Sequence, residues 1–433
     1  MERVQCLAAG VVARVLTSGH NLDTVLAETW RQNPALTAQE RGAVQDLAYG
    51  ALRFRGRLEG ILRHLLQKPL KDAVVRHLLL VALYQLSHTR ARPYAIVDHA
   101  VAACALLGHP QARGLVNAIL RNFQRRGAEA EAAAAATDEG RYSHPQWWIS
   151  KLAAQYPEDF RGILEAGNAR PPLTLRVNRR RIARDGYLEL LERDAIAARP
   201  IGRHGVIIDR PRPVAELPGF AEGLVSVQDA GAQLAAGLLD VRDGMRVLDA
   251  CAAPGGKTAH LLELADLELT AADIDPLRLQ RVAENLSRLS LHARLLQADA
   301  ERPDDWRDAG VFDRILADVP CTASGVVCRH PDIKWSRKAA DIPPLVVRQS
   351  RILDTLWQLL GRGGKLLYAT CSVFSEENRQ QVEHFIAGHP DARQQPLSPL
   401  IDSVNTDGIK TVQGQLLPDA AHDGFFYAVL EKV

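Results

Sequence analysis

The chain has 433 residues, 47% hydrophobic and 24% charged, with 53 Lys and Arg against 51 Asp and Glu for a formal charge of +2. That length exceeds one ordinary core and predicts two or three domains, and the balanced composition excludes a disordered or fibrous chain. No apolar run reaches the roughly 20 residues of a membrane-spanning helix, and residues 1–19 have helical apolar spacing rather than a basic start followed by an apolar block, so a cytoplasmic protein without a leader or membrane partner is expected.

Charge is unevenly spread. Residues 1–126 hold 17 Lys and Arg against 8 Asp and Glu, a net of +9, which leaves −7 for the remainder. Inside that remainder, residues 170–213 hold eleven Arg against five acids. Two basic regions ahead of an acidic C-terminal part suit a polyanion gripped from the N-terminal side; solvated helix faces would give the same counts. The six cysteines, Cys6, Cys104, Cys251, Cys321, Cys328 and Cys371, form no CxxC pair and no Cys/His metal spacing. Neither a disulfide framework nor a metal site is expected, and in a reducing compartment the thiols stay free for chemistry.

In chain order, residues 1–140 read as all-helical, with apolar residues recurring at Val11, Val12, Val15 and Leu16 and again at Val74, Val75, Leu78, Leu79, Val81 and Ala82. The low-complexity run AEAEAAAAAT at 128–137 is either an Ala-rich helix extension or a linker, and marks a boundary. Residues 145–235 predict a small, Arg-rich α+β domain: a helix after His144-Pro145-Gln146-Trp147-Trp148, strands over 173–178 and 205–208, and a helix over 185–191. From 236 to 433 strands and helices alternate. Strands are expected at 245–250, 268–273, 292–297, 312–318 and 365–370, and helices at 257–265, 276–289, 345–360 and 376–387. That alternation predicts an α/β domain with a mostly parallel sheet covered on both faces, and the run from Gly424 to Leu430 suits a final antiparallel strand.

The first of these strands runs into Asp249-Ala250-Cys251-Ala252-Ala253-Pro254-Gly255-Gly256-Lys257-Thr258, a turn of small residues that opens a helix. Small side chains let the backbone approach a ligand, and a helix N-terminus favours negative charge. The spacing is neither GxGxxG nor GxxxxGK[ST]. The second strand ends at Asp273, placed for a ribose hydroxyl, and the third at Asp299, where a carboxylate could accept from an adenine amino group. Either acid alone is more often a helix cap; in order along one sheet edge they point to a nucleoside. The fourth strand ends in Asp318-Val319-Pro320-Cys321-Thr322-Ala323-Ser324-Gly325 and the fifth in Thr370-Cys371-Ser372. A parallel sheet puts both cysteines on the carboxyl edge. Cysteines are ordinarily inert core residues, as expected for Cys6, Cys104 and Cys251, but one just past a strand tip beside a ligand crevice fits a nucleophile.

Residues 249–258, Asp318-Val319-Pro320-Cys321 and Thr370-Cys371-Ser372 resemble the signature motifs of RNA cytosine-C5 methyltransferases. Arg329-His330-Pro331-Asp332-Ile333-Lys334-Trp335 and Asp423-Gly424-Phe425-Phe426-Tyr427 resemble the bacterial RsmB branch, also called Fmu or Sun, and Leu115-Val116-Asn117-Ala118-Ile119-Leu120-Arg121 is similar to the NusB-like RNA-binding domain of that branch. The resemblance implies a NusB-like domain over 1–140, a middle domain over 145–235 and a Rossmann-like, seven-stranded methyltransferase domain over 236–433. It implies methyl transfer from S-adenosylmethionine to carbon 5 of a cytosine in 16S rRNA, the family's usual target being cytosine 967, in a single-stranded or hairpin-loop stretch where unstacking costs least. It assigns the nucleophile to Cys371, breakdown of the covalent intermediate to Cys321, and the cytosine edge and a cofactor contact to Asp318. The turn Cys251, Ala252, Ala253, Pro254, Gly255, Gly256 and Lys257 would hold the methionyl part, Asp273 the ribose and Asp299 the adenine; Lys257 either touches the ligand or sets the charge at the helix start. DNA cytosine methyltransferases attack with the cysteine of their Pro-Cys motif, so spacing alone does not choose between Cys321 and Cys371.

One departure is visible: Thr322-Ala323-Ser324-Gly325 stands where the family usually has Ser-Ala-Thr-Gly, with the hydroxyls kept and their sizes exchanged. Cys328 is expected to be structural, and Trp335 either stacks on a base or anchors its segment. Three other readings compete. The same chemistry could serve tRNA or large-subunit rRNA; the chain could be a non-catalytic, antitermination-type RNA-binding protein, which the intact Asp318, Cys321 and Cys371 oppose; or it could be a nucleotide-dependent oxidoreductase, which the absence of GxGxxG opposes. The sequence specifies no oligomeric state.

Overall fold

The apolar spacing ahead of residue 140 folds as helices, whose starts are written in the sequence. Asn21 accepts from the Thr24 amide at 2.8 Å, Thr37 and Glu40 form a reciprocal capping box, and Asp72 accepts from Val74 and Val75. The helix Ala73–His88 is apolar nearly all round, and Leu78 to Leu83 are completely buried, so it is the central helix about which its neighbours pack. The Ala-rich run continues the helix Arg113–Ala135 past a break at Arg126, with Ala130 and Ala134 buried, so it extends a helix rather than linking domains.

The computed structural model describes residues 1–397 and 411–433. They cluster as two units, Met1–Ala169 with Val327–Ala339, and Arg170–Val326 with Ala340–Val433. The excursion Val327–Ala339 is thus part of the helical unit, and it is held there by backbone carbonyls and the Asn168 side chain. Lys334 is completely buried and donates to the Arg53 carbonyl at 2.8 Å and to Asn168 Oδ1 at 2.7 Å. Arg53 donates to the Cys328 carbonyl, and Trp335 Nε1 to the Leu52 carbonyl, each at 2.7 Å, with the Arg55 guanidinium 4.8 Å over the Trp335 ring. Burial pushes the Lys334 ammonium well below its usual range. Trp335 is therefore an anchor, which removes it as a base-stacking platform, and Cys328 is a buried structural residue. No helix of the described residues is long and apolar enough to cross a membrane.

The second unit begins with an antiparallel sheet of β1 (Leu173–Val177), β2 (Ala198–Ile201), β3 (Gly205–Ile208) and β4 (Val225–Val227), in the order β2-β3-β1-β4. Pro200, which cannot donate, sits on the edge strand β2. The large sheet contains β5 (Arg246–Asp249), β6 (Glu268–Asp273), β7 (Arg294–Gln297), β8 (Phe312–Asp318), β9 (Leu360–Thr370), β10 (Ala392–Gln394), β11 (Gln415–Leu416) and β12 (Phe425–Lys432). Its order is β10-β12-β9-β8-β5-β6-β7, with the two-residue β11 pairing β12 beside that seven-strand path. Strands β5 to β9 are parallel and β12 runs antiparallel to β9, the expected Rossmann-like arrangement. The strand order reverses between β5 and β8, so the crevice where ligands bind such sheets lies at their carboxyl tips. The helix expected over 376–387 starts only at Arg379. Glu377 and Asn378 turn inward instead, for a reason that belongs to the site.

Candidate active site

The turn after β5 is closed by its neighbours. The Ala252 amide donates to the Ala272 carbonyl at 2.8 Å, and the Ala253 amide to Asp273 Oδ2 at 3.2 Å. Gly255 caps the helix Gly256–Leu264 at φ 96°, a left-handed conformation that glycine adopts without strain. That helix has no side-chain cap, so its first amides keep their donors, and a Cβ added at Gly256 would meet nothing nearer than Gln228 Nε2 at 3.9 Å. An open helix N-terminus with backbone donors fits a carboxylate-bearing ligand. A buried bidentate pair stiffens the helix behind it: Arg176, completely buried on β1, grips Glu263 at 2.7 and 2.9 Å and donates to the Gly256 carbonyl at 2.7 Å.

The three strand-end acids differ in their surroundings. Asp273 is buried and braces the turn, also accepting from the Asp275 amide at 3.1 Å, with Arg278 Nη1 at 3.5 Å; a carboxylate has further acceptor sites for a hydroxyl. Asp299 is half-buried and accepts from the Glu301 amide at 3.0 Å. Asp318 forms a hydrogen-bonded ion pair with Lys257 at 2.5 Å. Burial alone would depress the Lys257 ammonium, but Asp318, with Cys371 and Asp249 adding, outweighs it and holds the group above its usual range. The Lys257 ammonium also lies 5.5 Å over the Phe425 ring. Behind them Asp249 is buried, with one oxygen bonded to Thr258 Oγ1 at 2.7 Å and the other unpartnered among the described residues. Burial pushes its pKa up to about 7. Cys251 is also pushed far up by burial, which leaves its thiol unreactive.

The two strand-end cysteines meet: Cys321 Sγ lies 3.4 Å from Cys371 Sγ. Cys321 is buried and Cys371 partly open. The hydrogen bond to Cys371, then burial, then the charge of Cys371 raise the Cys321 pKa well above that of a free thiol, so Cys321 stays protonated beside its partner.

What fixes this pair is a polar network that sequence reasoning missed. Glu377 is completely buried. Its Oε1 accepts from the Thr322 amide at 2.8 Å and from Gln349 at 3.1 Å, while its Oε2 accepts from Thr322 Oγ1 at 2.5 Å and Ser372 Oγ at 2.6 Å. Ser324 Oγ lies 3.0 Å from Ser372 Oγ and accepts from the Val373 amide at 2.9 Å. Asn378, also completely buried, donates to the Ser372 carbonyl at 2.9 Å and accepts from Thr370 Oγ1 at 2.6 Å. Glu377 thereby binds the loop after Cys321 to the loop after Cys371, and Asn378 holds the Cys371 side from Thr370 to Ser372. The hydroxyls of Thr322 and Ser324, exchanged in size from the usual pattern, both take part. Gly325 closes the arrangement, donating to the Cys371 carbonyl at 2.8 Å; a Cβ there would lie 2.3 Å from the Gly424 carbonyl oxygen. The clue was the hydroxyl-rich Thr322, Ser324 and Ser372 beside each cysteine; their shared acceptor lay in a polar run that reads as surface.

Residues 236–431 match the model of the 16S rRNA methyltransferase RsmB/F family, residues 144–215 that of an RsmF/B-like ferredoxin-like domain, and residues 3–125 the NusB family. A Pectobacterium atrosepticum protein named ribosomal RNA small subunit methyltransferase B is 43% identical, aligned over 99% of this chain and 98% of its own. The chain belongs to the RsmB/F family. A Pseudomonas putida protein of the same name is 45% identical, with 98% of each chain covered. Among solved structures, that of PH0851 superposes with a TM-score of 0.78 at 23% identity over 99% of each chain, a likeness of fold. A methyltransferase homolog from Pyrococcus horikoshii has a TM-score of 0.58 at 27% identity, covering 68% of this chain and 97% of its own. The helical, α+β and α/β order expected from periodicity is met, with the NusB-like and Rossmann-like folds that the resemblance implied and a ferredoxin-like fold between them.

Proposed function

We propose that the chain methylates carbon 5 of a cytosine in 16S rRNA, cytosine 967 being the expected target, and that it uses S-adenosylmethionine. The observation that carries this reading is the 3.4 Å approach of Cys321 and Cys371 on the carboxyl edge that also presents Gly255, Asp273, Asp299 and Asp318. The names borne by its relatives supply the RNA class. The three-domain division at 1–140, 145–235 and 236–433, and a cytoplasmic location, belong to the same proposal.

Carbon 5 of cytosine is a weak nucleophile while the ring is aromatic. The Cys371 thiolate adds to carbon 6, which breaks the conjugation and makes carbon 5 enamine-like. S-adenosylmethionine bound at the turn 251–257 supplies an electrophilic methyl group. With that methyl on carbon 5 and S-adenosylhomocysteine left as the thioether product, carbon 5 would lose its proton to a base and expel the Cys371 thiolate as the ring regains aromaticity. Asp318, oriented by Lys257, holds the amino edge of the cytosine. The Cys321 thiol, protonated and 3.4 Å from Cys371 Sγ, helps release that sulfur as the adduct breaks down. Asp273 and Asp299 hold ribose and adenine. The basic helical domain grips surrounding phosphates, and binding weakens as salt rises.

The test incubates the protein, Cys371→Ala and Cys321→Ala with 16S rRNA and a labelled methyl donor. Cys371→Ala transfers no label, and Cys321→Ala accumulates a protein–RNA adduct. Full activity in Cys371→Ala would overturn the assignment.

A further inference from the structure

On the second unit, away from the cysteines, the β2–β3 turn, the helix Leu234–Leu238 and the helix Gly256–Leu264 enclose a cavity of about 330 Å³. That is the size of a small-molecule site. No residue assigned above to the cofactor or to the cysteine chemistry lines it. One wall is apolar, with Ile201, Leu234 and Leu264. Another carries Arg179 and Arg203, both exposed, and neither guanidinium forms an ion pair or hydrogen bond with a described residue. This contrasts with the neighbouring arginines: Arg176 is locked to Glu263, Arg180 pairs Asp266 at 2.7 Å, and Arg181 donates to the Leu289 carbonyl at 3.0 Å.

Two imidazoles also line the cavity. His260 is only 4% exposed, and its Nδ1 has no partner among the described residues. A buried polar atom left unpaired costs stability, so its persistence at a cavity wall points to a ligand that completes it. His204 meets His260 edge-on at 6.2 Å. Burial, then the charges of Arg203, Arg179 and Arg176, press the His204 pKa down to about 4, and burial with Arg176, His204 and Arg179 presses His260 lower than its usual range. Both rings are therefore neutral, and the positive charge of this wall comes from the two unpaired arginines. Asp240, which also lines the cavity, is engaged by Lys365 at 2.9 Å.

Unpaired guanidinium groups, an apolar wall and one orphaned ring nitrogen are the complement of a nucleotide: phosphate, base face and base edge. We propose that this cavity holds one unpaired nucleotide of a bound RNA strand, outside the reacting cytosine, with its phosphate on Arg179 and Arg203 and its base on the apolar wall within reach of His260. The choice of RNA rests on the chain's membership of an rRNA methyltransferase family and not on the cytosine-C5 chemistry.

The test measures affinity for a cytosine-free single-stranded octamer, with the cofactor site saturated by S-adenosylhomocysteine, in the full chain, in Arg179→Ala/Arg203→Ala and in His260→Gln. Uridine monophosphate is titrated as competitor, and thermal melting is compared to show that each variant folds. The arginine pair is exposed, so that variant tests the idea even where His260→Gln destabilises the core. The double variant weakens octamer binding about tenfold, and its salt dependence becomes shallower by about 0.7 in log–log slope for each phosphate that no longer has a guanidinium partner. His260→Gln weakens binding about threefold with the slope unchanged, as expected for removal of one hydrogen bond to a base. Octamer affinity unchanged in the double variant overturns the proposal. Competition by uridine monophosphate with that affinity unchanged also overturns it, by assigning the cavity to a free nucleotide. No methyl transfer is measured, so an error in the cytosine-C5 reading leaves this outcome untouched.

Discussion

Around the turn that follows β5, the groups facing the crevice are backbone amides and acids that each retain acceptor capacity, and the helix start is uncapped. Around Cys321 and Cys371 the donors and acceptors are turned away from the crevice into protein, where Glu377 and Asn378 are completely buried and bonded on several sides. The first region is finished by whatever enters it; the second is finished by the fold. The contrast suits the chemistry proposed. A cofactor must come and go, whereas two sulfurs must be held at a fixed separation while a covalent bond forms and breaks.

The largest break in this comparison should come from Glu377→Ala. It strips the acceptor from the Thr322 amide, Thr322 Oγ1 and Ser372 Oγ at once. We expect a stability loss of about 3 kcal/mol in urea unfolding and at least a hundredfold loss of methyl transfer, because unmatched buried donors are costly. Glu377→Gln, which keeps the shape and one acceptor, should recover part of both; equal losses in the two variants would mean that bulk and not hydrogen bonding holds the loops.

On the open side the effects should be smaller and kinetic. Lys257→Met removes the partner of Asp318, and about a tenfold to hundredfold fall in kcat/KM is expected with the fold intact. An unchanged kcat/KM would separate the ion pair from catalysis.

Asp249 sharpens the comparison through pH. Its folded pKa is raised to about 7, above the ordinary value of an unfolded carboxyl. Its favourable contribution is therefore fully present below about pH 4 and lost as pH rises to 7, where the buried group must ionise. Asp249→Asn, which still accepts from Thr258, should gain stability relative to the parent as pH is raised from 5 to 8, by a few kcal/mol as an order of magnitude. Parallel pH profiles would count against the buried charge. The smallest effect belongs to the helical unit, where Trp335→Phe loses the bond to the Leu52 carbonyl and should cost about 1 kcal/mol.

The legible part of the sequence was whatever depends on local pattern. The β6 and β8 strands fall at the expected residues, Glu268–Asp273 and Phe312–Asp318, because apolar runs ending in an acid and a turn carry their own boundaries. The meeting of Cys321 and Cys371 follows from parallel neighbours β8 and β9. Long-range burial of polar residues was not legible. Glu377 and Asn378 lie in Ser375-Glu376-Glu377-Asn378-Arg379-Gln380, which has the composition of a solvated helix start, and only the folded neighbourhood shows where they turn. Arg176 alternates with apolar neighbours as a solvent-facing strand residue would, yet its partner Glu263 stands 87 residues later. Lys334 and Trp335 likewise find their acceptors on residues around 52 and 53, far away in sequence.

The central claim concerns which sulfur attacks, and one measurement addresses it most directly. RNA carrying 5-fluorocytosine at the target is incubated with the protein and the methyl donor; fluorine cannot leave as a proton does, so the adduct persists and can be digested and mapped by mass spectrometry. The account predicts the modified nucleotide on the peptide containing Cys371, in the parent protein and in Cys321→Ala. Attachment at Cys321 would contradict it.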